Sequence, residues 1–259
     1  MNLDLPAPDP RRLERSPLEL VVCQIRFDNK AAAEEPAVAL SFHAQLGGED
    51  GRYPNMEPIA GHEYSITMGP NAAPATETKT LAGWRLSSAE DGWVISLTAE
   101  YVAIETSAYQ TWDDFRERLA ELIAATAAQL APAIEQRIGL RYVDRIGELE
   151  LSEPQQWAQY IAPELLGPIL HPKIGPTVKV AQQALALELG DGIACGLRHG
   201  VNSEQGSVDY LLDFDLSRQG GRAFEPEALL ATADRLNEYG LQLFQAAITP
   251  ELYERLAPT

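Results

Sequence analysis

The sequence predicts an α+β fold of mainly antiparallel sheets, with long helices on one face and two pseudo-repeated halves. Several segments alternate apolar and polar residues with a period of two, which is typical of strands. Two long segments instead repeat apolar residues every three or four positions, which indicates amphipathic helices. Because the strands follow one another without regular βαβ alternation, the order favours α+β over a doubly wound parallel sheet.

The first half begins with an arm and a strand. Residues 1–17 are rich in proline and predict an extended N-terminal arm. Leu18 to Phe27, LELVVCQIRF, is rich in β-branched and aromatic residues and predicts a strand. Residues 28–80 contain many prolines and glycines with only short apolar pieces, and here we expect short elements joined by mobile loops.

A hairpin and a helix complete this half. Trp84 to Leu86 and Trp93 to Thr106 flank the dipeptide Asp91-Gly92, which predicts a strand, a tight turn and a long second strand. Thr111 then gives a capping-box-like start, and apolar residues recur at helical spacing up to Pro132.

The second half repeats this order. Its predicted elements are a strand at Arg137 to Ile146, an irregular helical stretch at 154–170, a hairpin of Ala184 to Leu189 and Ile193 to His199 on Asp191-Gly192, a strand at Val208 to Leu216, a helix from about Glu225 to Ile248 and a short last helix at Glu251 to Leu256. We therefore predict a duplication, with halves 18–131 and 132–259 packed as one compact unit.

Each predicted strand has one polar face. In the first strand Cys23, Ile25 and Phe27 alternate with Gln24 and Arg26, and the other strands show the same division. If the helices cover the apolar side, the charged residues share the opposite side. The six candidate binding residues on that side are Arg141, Arg145, Arg26, Glu100, Asp213 and Asp215.

Three interpretations of these six residues stay open at this point. They can form cross-strand ion pairs that contribute only to stability. They can line a recognition groove for a peptide, a protein partner or an anionic ligand. Asp213 and Asp215, two positions apart on one strand, can also act as paired carboxylates in acid–base chemistry.

Motifs that would identify a reaction are absent from the sequence. It contains no G-x-x-x-x-G-K-[ST], no G-x-G-x-x-G after a strand, no G-x-S-x-G, no H-E-x-x-H and no C-x-x-C. The four histidines are far apart, and Cys23 lies on the apolar face of its strand. We therefore predict no cofactor, no metal and no assignable catalytic residue.

The charge restricts the class of partner. The 259 residues include 20 Lys and Arg against 38 Asp and Glu, a formal net charge of −18. Binding to phosphates or to anionic membranes requires basic clusters, so we expect no nucleic-acid and no membrane partner, and a basic protein as the partner. No run approaches the ~20 apolar residues of a membrane span, and two cysteines do not make a disulfide scaffold. A cytoplasmic location is expected, and the oligomeric state stays open.

The motifs together resemble a known group of proteins. VVCQIRF, DGWVISLT, RIGLRYVDRI, LLDFD and LFQAAIT, in this order, resemble a sporadically distributed family of uncharacterised bacterial proteins. The resemblance implies a single compact unit and, through its patchy distribution, an association with accessory or defence systems. We therefore expect a non-enzymatic protein-binding or accessory factor of a bacterial defence or toxin-immunity system. The alternatives are an enzyme with a dispersed active site on the polar sheet face and an oligomerising scaffold.

Overall fold

One antiparallel sheet of nine strands is present in this computed structural model, which describes residues 5–9, 11–65, 76–89, 92–147, 149, 151, 153–202 and 208–257. The strands are β1 Leu18–Phe27, β2 Asn55–Ser65, β3 Thr76–Ser87, β4 Trp93–Leu97, β5 Tyr101–Thr106, β6 Ile134–Ile146, β7 Val180–Gly190, β8 Ile193–Asn202 and β9 Asp209–Ala223. They lie in the order β2-β3-β4-β5-β1-β6-β9-β8-β7.

The helices pack against one face of this sheet. They are α1 Pro36–Gln45, α2 Trp112–Leu130, α3 Pro163–Leu166, α4 Pro226–Ala247 and α5 Pro250–Leu256, with short 3-10 helices at Ala31–Glu34, Gly48–Asp50, Pro154–Gln159, Gly167–Leu170 and Gly175–Thr177. The predicted α+β class, mainly antiparallel with long helices on one face, is confirmed. None of the helices in the described ranges is long and apolar enough to cross a membrane.

The alternation seen in the sequence accounts for the core. Cys23 and Ile25 of β1 and Ile138 and Leu140 of β6 are fully buried on the helix-covered face. Each such side chain contributes roughly 1.5–3 kcal/mol by leaving water. Helix α2 starts where Thr111 accepts a hydrogen bond from the Asp114 backbone N–H, as the capping pattern predicts.

The strand order is symmetric about the central pair β1 and β6. Outward from β1 the sheet continues through β5, β4 and β3, and outward from β6 it continues through β9, β8 and β7. Helix α2 follows β5 and α4 follows β9 along the chain, so the long helices occupy corresponding places. Strand β2 is an addition at the outer edge. The origin of the halves 18–131 and 132–259 by duplication stays a prediction.

The predicted long strand from Trp93 to Thr106 is wrong, because the chain folds back within it. Thr98 closes a turn between β4 and β5: its hydroxyl accepts from the backbone N–H groups of Glu100 and Tyr101 and donates to the Tyr101 carbonyl. Side chains of this type compete for backbone groups and so interrupt strands. Glu100 therefore lies in a turn, and Tyr101 faces the same side as Arg26, its pairing partner.

Residues 28–80 contain longer elements than their composition predicts. Strands β2 and β3 have 11 and 12 residues, although β2 contains Pro58. Proline is tolerated there because β2 is an edge strand, whose outer N–H groups need no partner. Residues 66–75 of this stretch and Asp91 of the first predicted turn lie outside the described residues.

Candidate functional site

The structure joins two of the six candidate residues directly. Arg141 on β6 and Asp213 on β9 are near neighbours on the face opposite the helices, and the guanidinium binds the carboxylate through two hydrogen bonds of 2.7 and 2.8 Å. Arg198 on β8 donates a third bond to Asp213 at 3.1 Å. The hydrogen bond to Asp213 raises the pKa of Arg141. Asp213 is thus a buried anion between two cations.

Asp215 has a different partner from the one that its register suggests. It lies opposite Arg141 in the ladder, but Arg137 donates to it at 2.9 Å. Sequence analysis missed both Arg137 and Arg198 as members of this cluster. The alternation of β6 offered a signal for Arg137, since it lies four positions before Arg141 and therefore on the same face.

The other candidates lie at opposite ends of the central strands. Arg26 pairs with Glu100 at 2.9 Å, and Arg145 pairs with Glu19 at 2.9 Å. Arg26 lies beside Arg137 on β6, so eight residues, or ~26 Å of strand, separate these two pairs. The six residues therefore form three separate groups, in which every carboxylate has a cation within 3 Å.

A cavity of about 510 Å³ lies on the other side of the sheet. Its walls come from β6, from helices α4 and α5, from the loop at 107–111 and from the N-terminal arm. The lining is mixed, with polar and charged residues of the arm and of the 107–111 loop beside six aromatic residues: Tyr109, Trp112, Tyr142, Phe214, Phe244 and Tyr253. Volume and lining fall within the range that is typical of small-molecule sites.

The arm is fastened to α4 by a side-chain clasp. The Gln245 amide accepts a hydrogen bond from the Asp9 backbone N–H and donates one to the Asp9 carbonyl, both at 2.9 Å. Arg11 adds an ion pair of 3.2 Å to Glu254 and lies 5.0 Å from the Tyr253 ring centre. Arg12 also donates to Gln110, the Arg15 backbone N–H donates to the Leu256 carbonyl, and Leu5 and Leu13 pack against the core.

One carboxyl group faces this cavity without a partner. Asp144 on β6 is only 5% exposed and lines the cavity, and no hydrogen bond or ion pair reaches it from the rest of the described chain. Burial raises the pKa of Asp144 to about 8, and the nearby charge of Glu19 adds to the effect. A buried and unpaired carboxyl is costly, and such groups cluster at functional sites.

The aromatic wall beside Asp144 is rigidly held. The Tyr142 hydroxyl donates to Asn237 Oδ1 of α4 at 2.7 Å, and the Tyr109 ring packs edge to face against Tyr142 with centroids 6.4 Å apart. Gly240 permits this approach, because a Cβ atom there would lie 2.9 Å from Tyr142 Cε2. The Tyr142 hydroxyl is thereby engaged, and the residue is 9% exposed where it lines the cavity.

Sequence analysis missed Asp144, although the signal was present. Ile138, Leu140, Tyr142 and Ile146 mark the buried face of β6, and Asp144 occupies the remaining position of that face. A charged residue in register with an apolar series is unusual, because isolated carboxylates are rarely buried. What the sequence could not supply is the cavity that the carboxyl faces.

The two cysteines and His199 are buried outside the cavity. Cys23 and Cys195 are free and buried, and burial raises the pKa of each to about 12. His199 Nδ1 lies 2.9 Å from the Tyr210 hydroxyl. No group of three or more His, Cys, Asp or Glu side chains suited to a metal ion occurs in the part of the chain that is described.

Comparison with known proteins returned no match: no family model, no curated protein and no solved structure is significantly similar to this chain. The resemblance to a sporadic bacterial family therefore stays a prediction, and the site is interpreted from its own geometry.

Proposed function

We propose that this chain is a non-enzymatic binding protein, which takes its ligand into the cavity between the N-terminal arm, β6 and α4. The observation that carries the proposal is the cavity itself. Its volume of about 510 Å³ fits a small organic group, six aromatic side chains contribute to its walls, and the buried polar residues Asp144 and Asn237 line it. Mostly apolar walls with a few placed polar groups are the usual composition of ligand sites.

The arm supports this function by its mode of attachment. It contributes Asp9, Arg11 and Leu13 to the cavity lining and is held by the Gln245 clasp. A ligand can enter when the clasp opens, and closure then removes the ligand from water. Such closing segments are drawn from the less stable parts of a fold.

The expected basic protein partner is compatible with this site. A net charge of −18 attracts positively charged proteins over a distance, and a side chain or a terminus of such a partner can enter the cavity. The candidates of the opposite face are paired within the chain, although Arg26, Arg141 and Arg145 stay 46%, 41% and 43% exposed, so a partner there would compete with existing ion pairs. A role in bacterial defence or toxin immunity is part of the proposal only through the resemblance.

The alternative function, an enzyme, is supported only by the Asp144 carboxyl group. On the sheet face, Asp213 and Asp215 are each bound by arginine, which removes them as a free acid–base pair. In the cavity, the pKa of about 8 at Asp144 is that of a group able to exchange protons near neutral pH. Turnover of a bound ligand, measured by mass spectrometry of the products, would favour the enzyme.

A pair of matched variants tests the binding site. Ala108→Phe enlarges a residue that lines the cavity, whereas Ala194→Phe places the same ring on the opposite sheet face. A fragment library is screened by thermal shift against the wild type and both variants. We expect compounds that raise the melting temperature of the wild type and of Ala194→Phe but not of Ala108→Phe, since only occupied sites stabilise the folded state. A library without stabilising compounds, or compounds that stabilise all three proteins equally, would overturn the proposal.

A further inference from the structure

The position of Asp144 in the cavity wall is not explained by packing alone. Its strand neighbours are Leu18 on β1 and Leu212 on β9, which are apolar, and its side chain lies on the helix-covered face. The Arg218–Glu135 pair shows how a carboxylate is accommodated elsewhere on this face, with the two charges 3.0 Å apart. Asp144 lacks such a partner among the described residues, so its carboxyl group is left for a partner from outside the chain.

The surrounding rings make the cavity suited to a positive charge. Tyr109, Tyr142 and Trp112 line the cavity, and the Trp112 indole N–H already donates to Asp234 at 2.9 Å. An aromatic face carries partial negative charge and attracts ammonium and guanidinium groups, more strongly when water is excluded. A carboxylate beside aromatic rings is therefore the expected environment for an organic cation.

The other charged groups around Asp144 do not cancel the preference of this site for a positively charged ligand. On the arm, the acids Asp9 and Glu14 are balanced by Arg11 and Arg12. Arg11 is held by Asp9 at 2.8 Å and by Glu254, and Arg12 donates to Gln110. Glu19, on β1, is paired with Arg145. The tyrosines of the wall stay neutral near pH 7, since burial raises the pKa of Tyr109 and Tyr142.

We propose that the cavity binds an organic cation, with an ammonium or guanidinium group paired to the Asp144 carboxylate and its apolar part against Tyr109 and Tyr142. This inference rests on the proposed function and names its ligand class. The cation can belong to a free amine or to a lysine, arginine or N-terminus of a basic protein. Because the free carboxyl is protonated near pH 7, binding of a cation releases about one proton.

Isothermal titration calorimetry on the full chain tests this inference. The probes are benzylamine, phenethylamine, tryptamine and agmatine, the neutral alcohols benzyl alcohol and 2-phenylethanol, and a short peptide rich in lysine and arginine. We expect at least one cation to bind the wild type about tenfold or more tightly than the alcohols. Titration at pH 7 in two buffers of different ionisation enthalpy should show the release of about one proton per ligand.

Two variants complete the experiment. Asp144→Asn keeps the shape of the side chain and should remove both the preference for cations and the proton release, while Asp215→Asn on the opposite face should leave both unchanged. Binding of the peptide alone, dependent on Asp144, identifies a protein as the source of the cation, and binding of a small amine identifies a free ligand. Both results support the inference.

The failure of the inference can be told apart from the failure of the proposed function. If cations and alcohols bind equally, or if Asp144→Asn binds cations as the wild type does, the cation assignment is overturned. The binding site itself then still stands, provided that Ala108→Phe blocks the compounds found in the fragment screen. If no probe binds and that screen finds no compound sensitive to Ala108→Phe, both are overturned.

Discussion

Arg141 holds Asp213 side on, with its Nε and Nη2 atoms 2.7 and 2.8 Å from the two carboxylate oxygens. Asp213 is 5% exposed and Arg141 is 41% exposed, so the pair lies at the boundary between sheet and solvent. Arg141→Met leaves Asp213 with Arg198 alone, and we expect the free energy of unfolding to fall by about 1–3 kcal/mol. Urea denaturation at pH 7 measures the loss.

Arg26→Met is the matched control for this substitution. Arg26 and its partner Glu100 are 46% and 62% exposed, and exposed pairs contribute little. We expect a change within about 0.5 kcal/mol. Equal losses in the two variants would contradict the assignment of Asp213 as the only buried anion of the three groups.

The pH dependence of stability should report on Asp144. Its pKa is raised to about 8 in the folded state, so the unfolded chain gives up this proton at a lower pH than the folded chain does. Protonation of Asp144 makes its full contribution to the free energy of unfolding below about pH 4. This contribution is lost as the pH rises towards 8. Between pH 5 and pH 8 the wild type should lose about 3–4 kcal/mol relative to Asp144→Asn.

Urea denaturation of both proteins at several pH values measures this difference. The other titrating groups are the same in both proteins, so their contributions to the pH dependence cancel. A constant difference between wild type and variant across this range would show that Asp144 is ionised throughout and has a partner or water in solution.

The sequence predicted those parts of the fold that local patterns specify. Strand β1 begins and ends at the predicted residues, Leu18 and Phe27, because its β-branched alternation is uninterrupted. The turn at Thr98 escaped prediction, because it depends on one hydroxyl within a run of good strand formers. Strand β2 escaped because proline and glycine are loop signals, whereas an edge strand tolerates them, and of β3 only the segment Trp84 to Leu86 was predicted.

The candidate site was predictable only in part. Alternation correctly placed Arg141 and Asp213 on one face, since a period of two is a local property. The cavity depends on contacts between distant segments, such as Asp9 with Gln245, which are 236 positions apart. No local pattern encodes such a contact, so the functional meaning of Asp144 became visible only with the arm and α4 in place.

A buried ion pair beneath α4 should be strongly coupled to stability. Arg218 and Glu135 are 11% and 1% exposed, and Arg218 also donates to Thr232 on α4. Arg218→Met leaves an unpaired buried carboxylate, and we expect a loss of about 3–5 kcal/mol. The double variant Arg218→Met with Glu135→Leu should recover most of that loss in urea denaturation. Additive losses in the double variant would show that the two charges act independently.

The acidic balance predicts the absence of nucleic-acid binding. With 38 acidic against 20 basic residues, the chain repels a phosphate backbone over distances that are too short for salt to screen. A gel-shift assay with duplex DNA and with RNA at physiological salt should show no complex. A retarded band at micromolar protein concentration would contradict the prediction and would indicate a local basic surface.

The clasp between Gln245 and the arm should control access to the cavity. Gln245→Ala removes two hydrogen bonds of 2.9 Å from Asp9, whereas Gln242→Ala, its matched control on the same helix, removes one bond of 3.4 Å to the Pro6 carbonyl. Because each substitution removes only hydrogen bonds of partly or fully exposed side chains and leaves the packing of Leu5 and Leu13 in place, we expect a melting temperature within a few degrees of the wild type in both variants. Trypsin cleavage after Arg11 and Arg12 should be several-fold faster in Gln245→Ala alone, since proteolysis follows the population of the open form. Equal cleavage rates in all three proteins would show that the arm is held by other contacts and that the clasp does not close the cavity.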